Sequence, residues 1–566
     1  MDVLTKAQLL AHVVKWRLTW SRHDLDYRPA ELKNPKFVSA RHAVALIPDG
    51  AVCFSSGMAG NGRCSIFFWG IRDRFLRTGH PRGLTWITVG AQGGRGKAPG
   101  TFEEICLPGL VTRHIGGHVE TKKALLKLVQ DGQCELHTLP QGQQAFLLEA
   151  QACGEDSVTG VAGVGTFLDP RCGPGSVVCG TGKESLVTAE GDRLRFRLPK
   201  VEWAFFMASY ADEEGNLYVD NLATLTEIAA SVRAAKRNGG KVLATACGII
   251  PKDPSRIYVR AGDVDAIVVN PHNEQTGSVP MRQHWPMFTT APDMPAVEAI
   301  SRLKFLNETV GITPRRGPVE NALARLGATV FTGASRPGAL VNIGVGMPEE
   351  VCRVVFEAGL TDDVTFMSET GVIGGLPAPG VFFGAAVCPQ RLVTSADVFR
   401  LSYETLDTTI LGILQVDSDG NVNVSKRGPR ALDYVGPGGL PDLTAAARNI
   451  LFVGSWQAGG RIALRDGRIA IEQRGTPKFT GRVDEVTFNG RRALEAGKNV
   501  FYVTHVGVFQ LTPRGMELVR VMPGIDIRRD VIEGCPMRVV PPEQDPPVVE
   551  APVMTGRDFR LAWTGA

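Results

Sequence analysis

The feature that most constrains this chain is an order that occurs twice: a turn, a short apolar run, a glycine-rich turn, then a segment of helical composition. In the first half Pro48-Asp49-Gly50 leads into Ala51-Val52-Cys53-Phe54 and on to Ser55-Ser56-Gly57. In the second, Pro337-Gly338 leads into Ala339-Leu340-Val341-Asn342-Ile343 and on to Gly344-Val345-Gly346. A later pair repeats the relation, Ala211-Asp212-Glu213-Glu214-Gly215-Asn216-Leu217 against Val416-Asp417-Ser418-Asp419-Gly420-Asn421-Val422. Short apolar runs alternating with helical stretches predict mostly parallel sheets covered on both faces. The fold class expected is therefore α/β, with two related open, mostly parallel-sheet domains in one chain. Its 566 residues are more than one hydrophobic core usually covers.

The expected organisation is an N-terminal helical extension over 1–40, a first α/β domain over 41–295, a linker over 296–325, a second α/β domain over 326–540 and a proline-rich surface tail over 541–566. The extension carries a helix over 6–22, whose Leu9, Val13, Trp16 and Trp20 pack on the protein's own body or on a partner subunit. Prolines over 277–320 and the turn Pro314-Arg315-Arg316-Gly317-Pro318 mark the connection between the halves.

Composition excludes several function classes. A formal charge of +4 over this length, without a Lys/Arg block, gives no footprint for nucleic acid. No apolar run approaches a membrane span, and the N-terminus lacks the basic-then-apolar pattern of a leader. The 11 cysteines are scattered singly, with no CxxC pair or zinc spacing. Buried thiols in a reducing cytoplasm, and no metal, are the expectation.

In open parallel sheets, ligands bind beyond the carboxyl ends of the strands. Residues 340–343 form a predicted strand, and Pro348 suits the first turn of a helix over 348–358. The Gly344-Val345-Gly346 turn between them exposes N–H groups beside a helix N-terminus, a setting that favours an oxyanion. The next predicted strand, 364–367, runs into Met367-Ser368-Glu369-Thr370-Gly371. Glu369 and the glycine turn are thus expected at one sheet edge, and a nucleophilic carboxylate beside backbone donors suits acyl transfer. Gly163-Val164-Gly165 and Gly344-Val345-Gly346 lack the third glycine and following acid of a dinucleotide fingerprint. His80, His114, His118, His137, His272 and Cys388 are read as structural.

These motifs resemble those of the family I CoA-transferases in their single-chain form, the acetate/propionate CoA-transferases. Ser368-Glu369-Thr370-Gly371 is similar to the family's catalytic glutamate motif, usually Ser-Glu-Asn-Gly. Val341-Asn342-Ile343-Gly344-Val345-Gly346-Met347-Pro348 resembles its oxyanion-side turn. In the first half Gly79-His80-Pro81-Arg82, Ile115-Gly116-Gly117-His118, Leu139-Pro140-Gln141-Gly142 and Gly165-Thr166-Phe167-Leu168-Asp169-Pro170-Arg171 carry the likeness. Gln415-Val416-Asp417, Tyr502-Val503-Thr504 and Pro523-Gly524-Ile525-Asp526 extend it through the second half.

The resemblance implies ping-pong transfer of CoA from an acyl-CoA to a carboxylic acid, through acyl-glutamyl anhydride and glutamyl-CoA thioester intermediates on Glu369. It implies Val345 and Gly346 as oxyanion donors, and Asn342, Gly344 and Gly371 as parts of the substrate and CoA pocket. Coenzyme A is then a substrate, covalent on Glu369 only in transit, with no tightly bound cofactor. A homo-oligomer, tetramer or dimer, is also implied.

One stretch departs from the family's pattern. The family usually carries a Gly-Gly pair before the aspartate of a further motif. Here Ser402-Tyr403-Glu404-Thr405-Leu406-Asp407-Thr408 puts Tyr403 and Glu404 where the glycines are expected, with Asp407 retained. Tyr403, Glu404 and Thr405 are therefore expected to line the acyl pocket, narrowing it or displacing an oxyanion donor. That leaves two alternatives beside the transferase: an acyl-CoA hydrolase on the same scaffold, and a non-catalytic acyl-CoA-binding subunit. The turn over 90–100 also departs from the pattern.

Overall fold

The computed structural model describes residues 1–94, 98–182, 184–272, 285–290, 294–311, 313, 315–378, 380–541 and 544–565. Part of the 90–100 turn (95–97), and residues 273–284 and Pro314 of the expected connection, lie outside them.

The N-terminal helix α1 (Val3–Thr19) packs on the chain's own body, where His12 and Trp16 set their rings edge-on against Trp285 at 5.3 and 6.1 Å. The first half then builds seven parallel strands: β1 (Val52–Ser55), β2 (Leu84–Thr88), β3 (Val111–Gly116), β4 (Glu135–Thr138), β5 (Trp203–Ala211), β6 (Lys241–Ile249) and β7 (Ala266–Val269). They lie in the order β7-β6-β5-β1-β2-β3-β4. The direction of travel reverses between β1 and β5, so the loops after those strands flank the crevice where such sheets bind ligands. β5 shows why the sheet is central: Trp203-Ala204-Phe205-Phe206-Met207-Ala208 is buried throughout, a run suited to a strand covered on both faces. Helices α2 (Ser65–Thr78), α3 (Gln141–Cys153) and α4 (Ile228–Arg237) belong to the covering layers, and one hydrophobic cluster fills each side of the sheet.

The stretch expected as a linker is largely helical, with α5 (Ala296–Val310) and α6 (Pro318–Ala334). α6 belongs to the second half, burying Leu323, Leu326 and Phe331 in that half's core.

The second half repeats the plan. β8 (Ala339–Ile343), α7 (Met347–Glu357), β9 (Val364–Ser368), α8 (Ser395–Thr405), β10 (Leu406–Leu411), α9 (Leu440–Ala446), β11 (Asn449–Val453) and β12 (Asn499–Val503) follow one another. The parallel strands take the order β9-β8-β10-β11-β12. Antiparallel β13 (Gly507–Thr512) and β14 (Gly515–Val521) extend one side. Here the reversal falls between β8 and β10. The two echoes in the sequence are also structural equivalents. Asp212 accepts from the N–H and Nδ2 of Asn216, both at 2.9 Å, and Asp417 accepts from the same groups of Asn421 at 3.0 and 3.1 Å.

The stretch expected as a surface tail is instead packed. Arg325 of α6 donates to the carbonyls of Val553 and Met554, Trp563 sets its ring edge-on to Phe331, and its Nε1 donates to Asp363 at 2.9 Å. Prolines there limit the length of the elements without preventing burial of Val553 and Met554. Among the described residues no helix is long and apolar enough to cross a membrane.

Candidate active site

β8 and β9 pair in parallel with Asn342 opposite Met367. Two residues beyond that pair on each strand stand Gly344 and Glu369, so both lie at the carboxyl edge of the sheet. Gly344 continues the ladder by donating its N–H to the Ile410 carbonyl at 2.8 Å. Gly346 then turns the chain with φ +93° and caps α7, whose first turn holds Pro348. The N–H groups of Val345 and Gly346 have no protein acceptor among the described residues. They are free to meet a ligand oxygen.

Glu369 keeps partial access to solvent while protein surrounds most of its carboxylate. That burial pushes its pKa up to about 7, and the nearby Asp442 carboxylate adds to the shift. Gly439 comes so close that a Cβ on it would lie 2.7 Å from Glu369 Oε1. Asp442 sits in the first turn of α9 and is fully buried. Its Oδ2 accepts from the Gly142 N–H at 2.8 Å, and its Oδ1 accepts from Gln143 Nε2 at 2.8 Å and the Tyr403 hydroxyl at 3.1 Å. Burial raises Asp442 to about 6 and these donors pull the other way. Two coupled carboxyl groups therefore titrate close to neutrality.

The first half fixes this geometry. Gly438 donates to the Gly117 carbonyl at 2.9 Å and accepts from the Gln141 N–H at 3.1 Å, while Val119 donates to Val435 at 2.8 Å. Gly436 has φ +93°, and a Cβ there would lie 2.5 Å from the Gly117 oxygen. Ile115-Gly116-Gly117-His118 and Leu139-Pro140-Gln141-Gly142 thus serve to clamp residues 435–442 against Glu369.

Several sequence-based assignments need correction. Tyr403, Glu404 and Thr405 are not a loop at the acyl pocket but the last turn of α8, which leads into β10. β10 runs parallel to β8 with Leu406 beside Leu340, so this turn lies at the amino end of the sheet, a full strand length from the Gly344-Val345-Gly346 turn. Glu404 and Thr405 are exposed. Tyr403 reaches the site only indirectly, through Asp442. Asp407 accepts from Ser335 Oγ at 2.6 Å, at that same remote end. Asn342 is buried, its Oδ1 accepting from Thr409 Oγ1 at 3.0 Å, so it ties β8 to β10. Gly371 is a turn residue with φ +92°, whose Cβ position is filled by the Val393 carbonyl.

The residues missed are Gly438, Gly439 and Asp442. Gly436-Pro437-Gly438-Gly439-Leu440-Pro441-Asp442 carried a signal: a glycine pair, then proline in a first helical turn, then an acid. Among the histidines, His80 pairs with Asp49, His137 with Ser176 and Glu135, and His114 with Lys122.

The molecule is thus an α/β protein with a perturbed carboxylate at the meeting of two related sheets. No family model matches the sequence. A caffeate CoA-transferase of Acetobacterium woodii is 31% identical over 517 residues, covering 88% of this chain and 93% of that one. The acetate CoA-transferase YdiF of Escherichia coli strain K12 is 28% identical over 510 residues, covering 88% of this chain and 91% of its own. The crystal structure of the acyl-CoA transferase YdiF from E. coli O157:H7, as a thioester complex with CoA, superposes with a TM-score of 0.78 at 25% identity over 91% of this chain and 95% of that one. The chain belongs to the CoA-transferase family, and its activity is transfer of CoA.

Proposed function

We propose that the enzyme moves CoA from an acyl-CoA to a carboxylic acid by a ping-pong route with Glu369 as the covalent carrier. The observation that carries this reading is the Glu369 carboxylate at the end of β9, packed on the Gly439 backbone at the sheet edge that also bears the Val345 and Gly346 N–H groups. A Glu369 oxygen bonds to the thioester carbonyl carbon, and collapse of the tetrahedral oxyanion breaks the C–S bond. The products are an acyl-glutamyl anhydride and CoA thiolate. The thiolate adds to the glutamyl carbonyl and expels the acyl group as a carboxylate, which leaves a glutamyl-CoA thioester. A second carboxylate runs both steps in reverse and departs as its CoA ester. The thioester's energy is carried through, so ATP is not needed.

Val345 and Gly346 are the proposed oxyanion donors, and loss of one such donor typically raises the barrier by about 2.7–4 kcal/mol. Burial that penalises the Glu369 charge also favours its acylation, since the anhydride and thioester are neutral at that oxygen. A cavity of about 590 Å³ opens against α7 and α5, where Lys304, Arg315, Arg316 and Arg353 stand beside apolar Leu303 and Phe356. Glu308, Glu349 and Glu350 line it as well, and Arg316 and Arg353 are ion-paired to Glu350 at 3.1 and 2.8 Å, so its charges are largely spent within the protein. The hydrolase and non-catalytic readings drew on Tyr403 and Glu404 in the acyl pocket, and Glu404 stands at the amino end of β10; the hydrolase also drew on attack of water on the same intermediate, which the acceptor test below addresses.

The test is incubation with an acyl-CoA, with and without a carboxylate acceptor. Acceptor-dependent exchange supports the proposal. Equal release of free CoA without acceptor would replace it with a hydrolase.

A further inference from the structure

The turn that leaves β1 at the reversal point of the first sheet ends in a charge that the mechanism above does not use. Arg63 is 1% exposed, and its Nε and Nη2 are buried without a hydrogen-bond partner. Among the described residues no carboxylate pairs with it, and burial lowers its pKa to about 10. An isolated buried guanidinium is costly unless an anion joins it. Two features beside it have the same polarity or the same want of a partner. α2 starts two residues on, with no side-chain cap bond and no acid in its first turn, so its N-terminus favours an anion. Asn61 Oδ1 is also buried and unpartnered.

This turn faces Glu369 across the two halves. Asn61 Nδ2 donates to the Phe383 carbonyl at 2.9 Å, and Thr370 Oγ1 donates to the Gly384 carbonyl. A Cβ on Gly384 would lie 3.0 Å from Thr370 Cγ2 and 3.1 Å from Asn61 Nδ2. Thr370 is the neighbour of Glu369, and Asn61 is two residues from Arg63, so both turns meet the same segment, Phe383–Gly384.

We propose that Arg63, with the N-terminus of α2, binds a second carboxylate at the far end of the acyl group, so that the acids loaded with CoA are dicarboxylates. The proposal rests on the transferase reading for the word acyl, not for the anion site itself. The reacting carboxylate is a poor candidate for Arg63, because a desolvated ion pair would hold back the oxygen that must attack the glutamyl carbonyl.

The experiment compares wild type with Arg63→Met, using calorimetric binding of succinate and glutarate against butyrate and valerate, with CoA alone as a further ligand. Succinate or glutarate is expected to bind wild type at least about tenfold tighter than its monocarboxylate counterpart, and Arg63→Met to remove that preference. Unchanged dicarboxylate affinity in the variant, equal weakening of butyrate, or an equal loss for CoA alone would each overturn the proposal. Without ligand, Arg63→Met is expected to melt at or above the wild-type temperature, since an uncompensated charge is gone; a lowered midpoint means that the guanidinium is paired within the protein and also overturns it. Arg63→Lys keeps the charge and is expected to keep part of the preference; loss equal to that in Arg63→Met counts against a charge-based site. Binding needs no turnover, so dicarboxylate binding without CoA exchange would leave this site standing and sink the transferase route.

Discussion

Glu369 concentrates the chemistry in one titrating oxygen pair. It must be ionised to attack, and burial together with Asp442 lifts it to about 7. The exchange rate is therefore expected to climb with pH through about 7 and level off above it, with an apparent midpoint that belongs to the Glu369–Asp442 pair. A flat profile between pH 5.5 and 8 would contradict this. The same shift bears on stability. The folded chain holds this proton more tightly than the unfolded chain, so its contribution falls as pH rises from about 4.5 to about 7. Glu369→Gln should abolish exchange and yet raise stability above pH 7, by on the order of 1–3 kcal/mol in urea unfolding. Gly439→Ala tests the close approach. The backbone there is in the right-handed region at φ −85°, so an added methyl meets no backbone strain and presses on the Glu369 side chain, 2.7 Å from Oε1 and 3.1 Å from Cδ and Cγ. Exchange should drop by roughly tenfold or more, for a misplacement of about an ångström, while the melting temperature changes little.

At the scale of elements, the site is two parallel strand ends plus a helix start held in place from the other half. The sequence was legible where the geometry is local. β8, its glycine turn and β9 adjoin in the chain, and alternation of apolar runs with turns suffices to put Glu369 and Gly346 at one edge. Asp442 was not legible, because its partners Gly142 and Gln143 lie about 300 residues earlier and no periodicity joins them. The stretch at Tyr403 misled for a related reason: without the helix α8 in view, its place at the amino end of β10 could not be told from a place at the carboxyl end. The clamp itself makes a prediction. Asp442→Ala leaves the Gly142 N–H and the Gln143 amide unpaired in a buried setting, at a cost of about 1–3 kcal/mol for each such group. Chemical denaturation should show the loss, and a change below about 0.5 kcal/mol would mean that the clamp does not hold the halves together.

For the whole molecule, duplication explains the division of labour. Each half has a reversal point, at β1 and at β8, and Asn61 after β1 and Thr370 beside Glu369 bond to the same segment, Phe383–Gly384. The second half supplies the carboxylate and backbone donors; the first supplies Gly117, Gln141 and Gly142 to position the glycine pair, and buries Ala431 and Tyr434 of the second half in its own core cluster. Residues 318–565 produced alone should therefore show no exchange, and joint production with residues 1–310 should restore it. Activity of the second half by itself would show that the first is not needed to shape the site. The account stands or falls on a covalent Glu369. Incubation with an acyl-CoA in the absence of acceptor, followed by peptide mass spectrometry, is expected to find CoA attached to the peptide that carries Glu369 and to no other. An unmodified Glu369 peptide in protein that still exchanges CoA would contradict it.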